Sequence, residues 1–162
     1  MIVYHGSTLE LPFPDAAHSQ RYLDFGKGFY TTTYPEQAEK WALRKRMRSR
    51  NADKAIVNAY EFTENTQGIS IRRFSEEDRD WLEYICACRK GNDPDRGSDI
   101  IIGPVADDDV FKTVDMYFKG LWDIDRTIQE LQFYRRNDQI VFKDNAAICR
   151  SLRFKEAYEV DQ

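Results

Sequence analysis

The residues best placed to do chemistry come early. His5-Gly6-Ser7 closes the run MIVYHGS, and residues 25–34 read FGKGFYTTTY. Two glycines around Lys27 leave the backbone bare, so it can approach another surface closely. A phosphate-binding loop needs a helix directly after its glycines, and a dinucleotide fingerprint needs them between a strand and a helix. Here Phe29, Tyr30 and three threonines follow at once and favour a strand. Asp107-Asp108-Asp109 offers three adjacent carboxylates, but hard-cation sites draw ligands from alternating loop positions. A helix N-cap followed by acids in the first turn, ahead of Val110, Val114 and Tyr117, is the simpler reading. Cys86, Cys88 and Cys149 are odd in number, which argues against a disulfide framework. With two histidines and one CxC there is no zinc-ligand set, and buried or half-buried thiols are expected.

The elements that must position these residues read as follows. Met1–Gly6 is a short strand, and Pro12 and Pro14 break the next segment into a loop with one turn near Ala16–Arg21. Gly28–Thr33 is a strand. Pro35 starts a helix, with Thr33 or Tyr34 near its cap and Ala38, Trp41, Ala42 and Lys45 on one stripe. Ile56–Thr63 alternates as a strand, Ile69–Phe74 is a short one, and Glu76–Arg89 is a helix with Trp81, Leu82, Ile85 and Cys88 on one side. GNDPDRGSD is turn chemistry. Asp99–Gly103 is a buried strand, Asp107–Gly120 and Ile124–Phe133 are helices, Gln139–Phe142 is a strand, and Asn145–Leu152 is a terminal helix. Strands and helices mix without a βαβ repeat, so the class is α+β with a mainly antiparallel or split sheet.

The 162 residues suit a single domain spanning 1–162, and 41% hydrophobic residues suffice for a packed core. No apolar run reaches the roughly 20 residues a bilayer span needs, and the N-terminus is not a signal peptide, so no membrane association and a cytoplasmic location are expected. The net charge is −4, yet Lys40–Lys54 carries seven basic residues against Asp53 alone. That stretch, densest over Arg44–Arg50, is either a solvated helix face or a docking surface for a polyanion.

His5-Gly6-Ser7, then Gly26-Lys27-Gly28-Phe29-Tyr30, then Trp41 eleven residues after the tyrosine, together resemble the poly-ADP-ribose-polymerase branch of the ADP-ribosyltransferase superfamily. Asn137-Asp138-Gln139-Ile140-Val141-Phe142 resembles the strand that carries that branch's third signature residue, usually glutamate. The YHGS start, FGKGFYTT, GPVADDDVF and the final QIVF are similar to a family of small bacterial proteins of this superfamily. Those are described as the toxin halves of two-gene toxin–antitoxin modules. The likeness covers nearly the whole chain and is thinnest between residues 60 and 98. It implies split antiparallel sheets with surrounding helices, NAD as substrate without a metal, and cleavage of the nicotinamide–ribose bond. It also implies roles. His5 would anchor the adenosine-side ribose, with Ser7 beside it. Gly6 would pair its backbone with the nicotinamide carboxamide. Tyr30 would pack on the nicotinamide ring and Trp41 would close its other face. Gly26 and Gly28 would keep the entrance clear.

The third position departs from the pattern. The likeness to the small bacterial family favours Gln139, and an ungapped match to the polymerase branch favours Asp138. Adjacent strand residues face opposite ways, so only one enters the site; Ile140 and Phe142 share one face, Gln139 and Val141 the other. A glutamine supplies hydrogen bonds without charge, which fits single ADP-ribose transfer better than polymer formation. The expectation is therefore a mono-ADP-ribosyltransferase with a protein or nucleic-acid acceptor, partnered by an antitoxin protein. Two other expectations compete with it: a catalytically weak NAD-binding or protein-interaction module, and an NAD glycohydrolase with water as acceptor.

Overall fold

Alternation along the first strand sets the layers of the computed structural model, which describes residues 1–18, 24–64, 67–106, 108–134 and 137–161. Strand β1 (Ile2–Ser7) turns Val3 and His5 one way and Tyr4 and Gly6 the other. It pairs antiparallel with β3 (Ile56–Phe62). A later strand, Leu152–Glu159, pairs antiparallel with the far edge of β3, closing a three-stranded sheet.

The second sheet takes β2 (Phe29–Thr31), β4 (Ile71–Arg73), β5 (Ile100–Pro104) and β6 (Asp138–Phe142) in the order β2-β6-β5-β4. Its pairings are antiparallel except that of β4 with β5. The helices are α1 (Pro35–Arg48), α2 (Arg79–Arg89), α3 (Asp108–Phe118), α4 (Ile124–Leu131) and α5 (Asn145–Ser151), and the Leu152–Glu159 strand is β7. Among the described residues the class is thus α+β, with five α-helices and two mostly antiparallel sheets. None of these helices is long and apolar enough to cross a membrane.

Three apolar layers hold the elements together. Between the sheets lie Val3, Phe29, Tyr60, Phe62, Ile140 and Phe142. The other face of the second sheet presents Tyr30, Ile101 and Val141 to Trp81, Leu82 and Ile85 of α2 and to Val114 of α3. Outside the first sheet, Ala38 and Ala42 of α1 pack with Tyr4, Ala55 and Val57. Each large side chain sealed in these layers contributes about 1.5–3 kcal/mol.

Most expected elements are present, and the departures have local causes. Helix α2 begins at Arg79 rather than Glu76, because the Asp78 carboxylate accepts from Trp81 N at 3.0 Å and caps it. Helix α1 starts at Pro35 as expected, but its cap residue Tyr34 makes no side-chain cap bond, and Thr33 donates to Asp138 instead. The turn near Ala16–Arg21 is a 3₁₀ turn over Ala16–His18, and the remainder lies outside the described residues. So does Asp107, together with the side chains of Asp108 and Asp109, which removes the expected cap cluster from view. The chain does not end in a helix: α5 stops at Ser151 and β7 follows without a gap. A register shift between Ala59 and Tyr60 of β3 breaks β7's alternation, so Leu152 and Phe154 keep period two and Ala157 does not.

Candidate functional site

The two sheets touch through one backbone pair and then part. Tyr4 N donates to Thr32 O at 2.8 Å, and Thr32 N donates to Tyr4 O at 3.0 Å. Because Tyr4 directs its amide and carbonyl toward β2, Gly6, two residues on, directs its own the same way. The register Tyr4–Thr32 places Gly6 level with Tyr30, across the gap where β1 and β2 diverge. The neighbouring His5 reaches over this gap, with Nδ1 2.6 Å from the Tyr30 carbonyl.

That contact fixes the imidazole. A carbonyl only accepts, so Nδ1 carries the proton and Nε2 is left as an acceptor. The ring also stacks on Phe29 with centroids 4.3 Å apart, and His5 is 7% exposed. The Nε2 acceptor is met by the ammonium of Lys45 at 3.2 Å, and the same ammonium donates to the Gly6 carbonyl at 2.6 Å. Lys45 as a residue remains exposed, through its stem, while its ammonium end is packed against these acceptors. Desolvation of that end lowers its pKa to about 8.

The glycines have steric reasons inside the fold. A β-carbon on Gly6 would stand 2.1 Å from Ala38 O and 2.6 Å from Ala42 N, so only glycine lets α1 lie directly on β1. This contact brings Trp41, half-buried, beside the strand edge, its own Cβ 3.0 Å from the same point. A β-carbon on Gly28 would meet the backbone and side chains of β6, with Phe142 O and Val141 Cγ1 each at 2.7 Å. Ser7 is buried at the end of β1, and its Oγ accepts from Leu9 N at 3.3 Å.

Tyr30 is part of a core wall. It is 9% exposed; its hydroxyl accepts from Phe25 N at 3.1 Å and donates to the Gly26 carbonyl. Burial raises its pKa well above that of a free phenol. Across the strand pair Tyr30 stands opposite Val141, so Gln139 shares its face, while Asp138 shares the face of Phe29 and Ile140. Gln139 is 2% exposed and donates to Pro104 O at 3.4 Å. The Asp138 carboxylate is half-buried and accepts from Thr32 Oγ1 at 2.9 Å, Thr33 N at 2.8 Å and Thr33 Oγ1. The structure thus brings His5, Gly6 and the Tyr30 backbone together at the gap, places Trp41 on α1 beside Gly6, sets Gln139 on the core face with the Tyr30 side chain, and ties Asp138 into the turn that leads to α1.

Two residues of this region were not expected from the sequence as part of a site. Lys45 is one. Gln37 is the other: buried at the head of α1, it donates to Asp138 O at 3.3 Å, and its Oε1 has no hydrogen-bond partner among the described residues. Both lie on the Trp41 stripe, at i−4 and i+4, and that spacing was the available signal. Along the rest of Arg44–Arg50, α1 ends in exposed residues, among them Met47 and Arg48. Cys86 and Cys88 are buried and Cys149 is exposed, so the last thiol departs from the expected burial. A family model described as "Protein of unknown function (DUF3990)" matches residues 1–154. No curated protein matches the chain.

Proposed function

This chain belongs to the DUF3990 family, and we propose that it is an NAD-dependent mono-ADP-ribosyltransferase. The observation that carries the proposal is the Gly6 backbone turned into the β1–β2 gap, opposite Tyr30, with the His5 ring locked beside it. An amide and a carbonyl turned to the same side of one residue match the donor–acceptor pair of a carboxamide, once the Lys45 ammonium yields the carbonyl. Trp41 on the neighbouring helix face supplies an aromatic surface within reach of that ligand, and such stacking contributes roughly 0.5–1.5 kcal/mol beyond area burial.

In the reaction, the C1′–N bond to nicotinamide breaks, and its electron pair leaves with the ring. The acceptor's oxygen or nitrogen then bonds to C1′ and loses its proton. Positive charge develops on the ribose, so the site works by holding the dinucleotide in a reactive pose and aiming dipoles at that carbon. His5 anchors a ribose hydroxyl through Nε2, and Gln139 is the preferred third residue because it shares the Tyr30 face. Asp138, whose carboxylate already accepts three hydrogen bonds, is the alternative. The acceptor is a protein or nucleic acid, and the basic end of α1 is where an acidic acceptor or an antitoxin protein would dock.

A second reading, an NAD-binding or interaction module with weak or no catalysis, is favoured by the burial of Gln139 and of the Tyr30 hydroxyl. Labelled NAD incubated with cell lysate decides between them, comparing wild type with His5→Ala, Gln139→Ala and Asp138→Ala. Label on macromolecules that is lost in His5→Ala and Gln139→Ala is the expected result. Loss in Asp138→Ala with Gln139→Ala active moves the third position by one residue. Free nicotinamide without labelled macromolecules makes the protein a glycohydrolase. Binding of NAD with neither product leaves a binding module.

A further inference from the structure

The two acceptors of the gap differ from the group that fills them. The His5 ring is held on two sides, by the Tyr30 carbonyl at 2.6 Å and by Phe29 stacked at 4.3 Å. Gly6 is held by α1 lying on it. Among the described residues both are reached by the Lys45 ammonium, at the end of an unbranched side chain in the last turn of α1. A fixed pair of acceptors with a flexible donor suits exchange: a ligand bearing N–H and O–H donors can take over both contacts while the lysine swings into water.

We infer that Lys45 is an exchange residue for the ligand of this gap, filling the Gly6 carbonyl and His5 Nε2 in the free protein and pairing with the ligand's pyrophosphate once displaced. The inference rests on the NAD reading given above and adds to it the residue that favours the whole dinucleotide over its nicotinamide fragment. Lys45 leaves the Gly6 amide to a ligand, so a carboxamide gains one contact outright and must win the other. A displaced ammonium beside a bound dinucleotide has one strong anionic partner, the pyrophosphate, and charge-assisted pairs are the stronger class of hydrogen bond. Nicotinamide alone displaces the lysine and offers it nothing in return.

The consequence is a change in relative affinity. Calorimetric titration of nicotinamide and of NAD into the full chain at pH 7 reads it, with wild type, Lys45→Met and Lys45→Gln compared. Both substitutions remove the charge, and folding of each is checked by circular dichroism. Nicotinamide is expected to bind Lys45→Met a few-fold more tightly than wild type, because no ammonium competes for Gly6. The preference for NAD over nicotinamide is expected to fall by about tenfold in both variants, the size of one charge-assisted contact. An unchanged preference with binding intact overturns the role of Lys45 and leaves the NAD reading standing. Failure of both ligands to bind wild type overturns the two together.

Discussion

The two ends of α1 hold polar clusters of opposite construction. At its head, the Asp138 carboxylate is gripped by Thr32 and Thr33, through two hydroxyls and a backbone amide. These donors are short and belong to a turn that Pro35 then stiffens. At its tail, His5 and Gly6 are equally fixed, but the described group that bridges them is one long side chain, Lys45. The head is closed by parts that cannot leave without unfolding the turn. The tail is closed by a part that can. On the NAD reading proposed above, a ligand would enter where the partner of a rigid acceptor can be displaced, which favours the tail although both clusters are polar and both border the same helix.

The largest effect is expected at the closed cluster. Asp138→Ala strands three donors in a half-buried turn, and losing hydrogen bonds to a charged group of this kind costs about 2–3 kcal/mol. Lys45→Met, measured by the same urea denaturation at pH 7, should cost less than about 1 kcal/mol, because the lost contacts are offset by relief of a desolvated ammonium. Equal costs for the two substitutions would erase the contrast between a closed and an exchangeable cluster.

Tyr30→Phe tests whether the wall behind the gap is as rigid as the acceptors in front of it. The substitution removes a hydroxyl that accepts from Phe25 N and donates to Gly26 O, both sealed from water. About 1–2 kcal/mol should be lost, with the midpoint shifted and the denaturant slope unchanged. A cost near zero would mean that water or another group reaches those two backbone atoms, and the wall would then count as part of the opening.

How far this arrangement was legible in the sequence depends on range. The stripe Ala38, Trp41, Ala42 and Lys45 announced α1, and DIIIG announced a strand covered on both faces; each signal lies within one element. β7 was lost because its bulge breaks the period-two pattern that marks a strand. His5, Gly6, Tyr30 and Trp41 were singled out by a family resemblance, and His5, Gly6 and the Tyr30 backbone meet at the gap with Trp41 on the adjoining helix. What spacing could not supply was the partner of each. Lys45 meets His5 across forty residues of chain, and Gly28 is a glycine because β6, more than a hundred residues later, lies against it. The choice between Asp138 and Gln139 likewise needs the cross-strand register, which sets Val141 opposite Tyr30.

The smallest effect is also the most specific to the exchangeable end. The Lys45 pKa is about 8 in the folded chain against 10.5 for an ordinary lysine. Between those values the unfolded chain holds a proton that the folded one has released, so unfolding takes up a proton and folded stability rises with pH. Below pH 8 both states are protonated and the lysine adds no slope; above about 10.5 neither is. The stability difference, wild type minus Lys45→Met, should therefore be flat up to about pH 8 and then climb in favour of wild type toward pH 10.5. Groups other than Lys45 are common to both proteins and cancel in the difference. His5 faces Lys45 from β1, and Arg44, Arg46 and Arg48 lie on the same helix in both proteins. Urea midpoints at pH 7.5, 9 and 10 for the two proteins suffice. A difference that stays level across them would mean that the ammonium is hydrated as on any surface, and the tail of α1 would then be open without exchange.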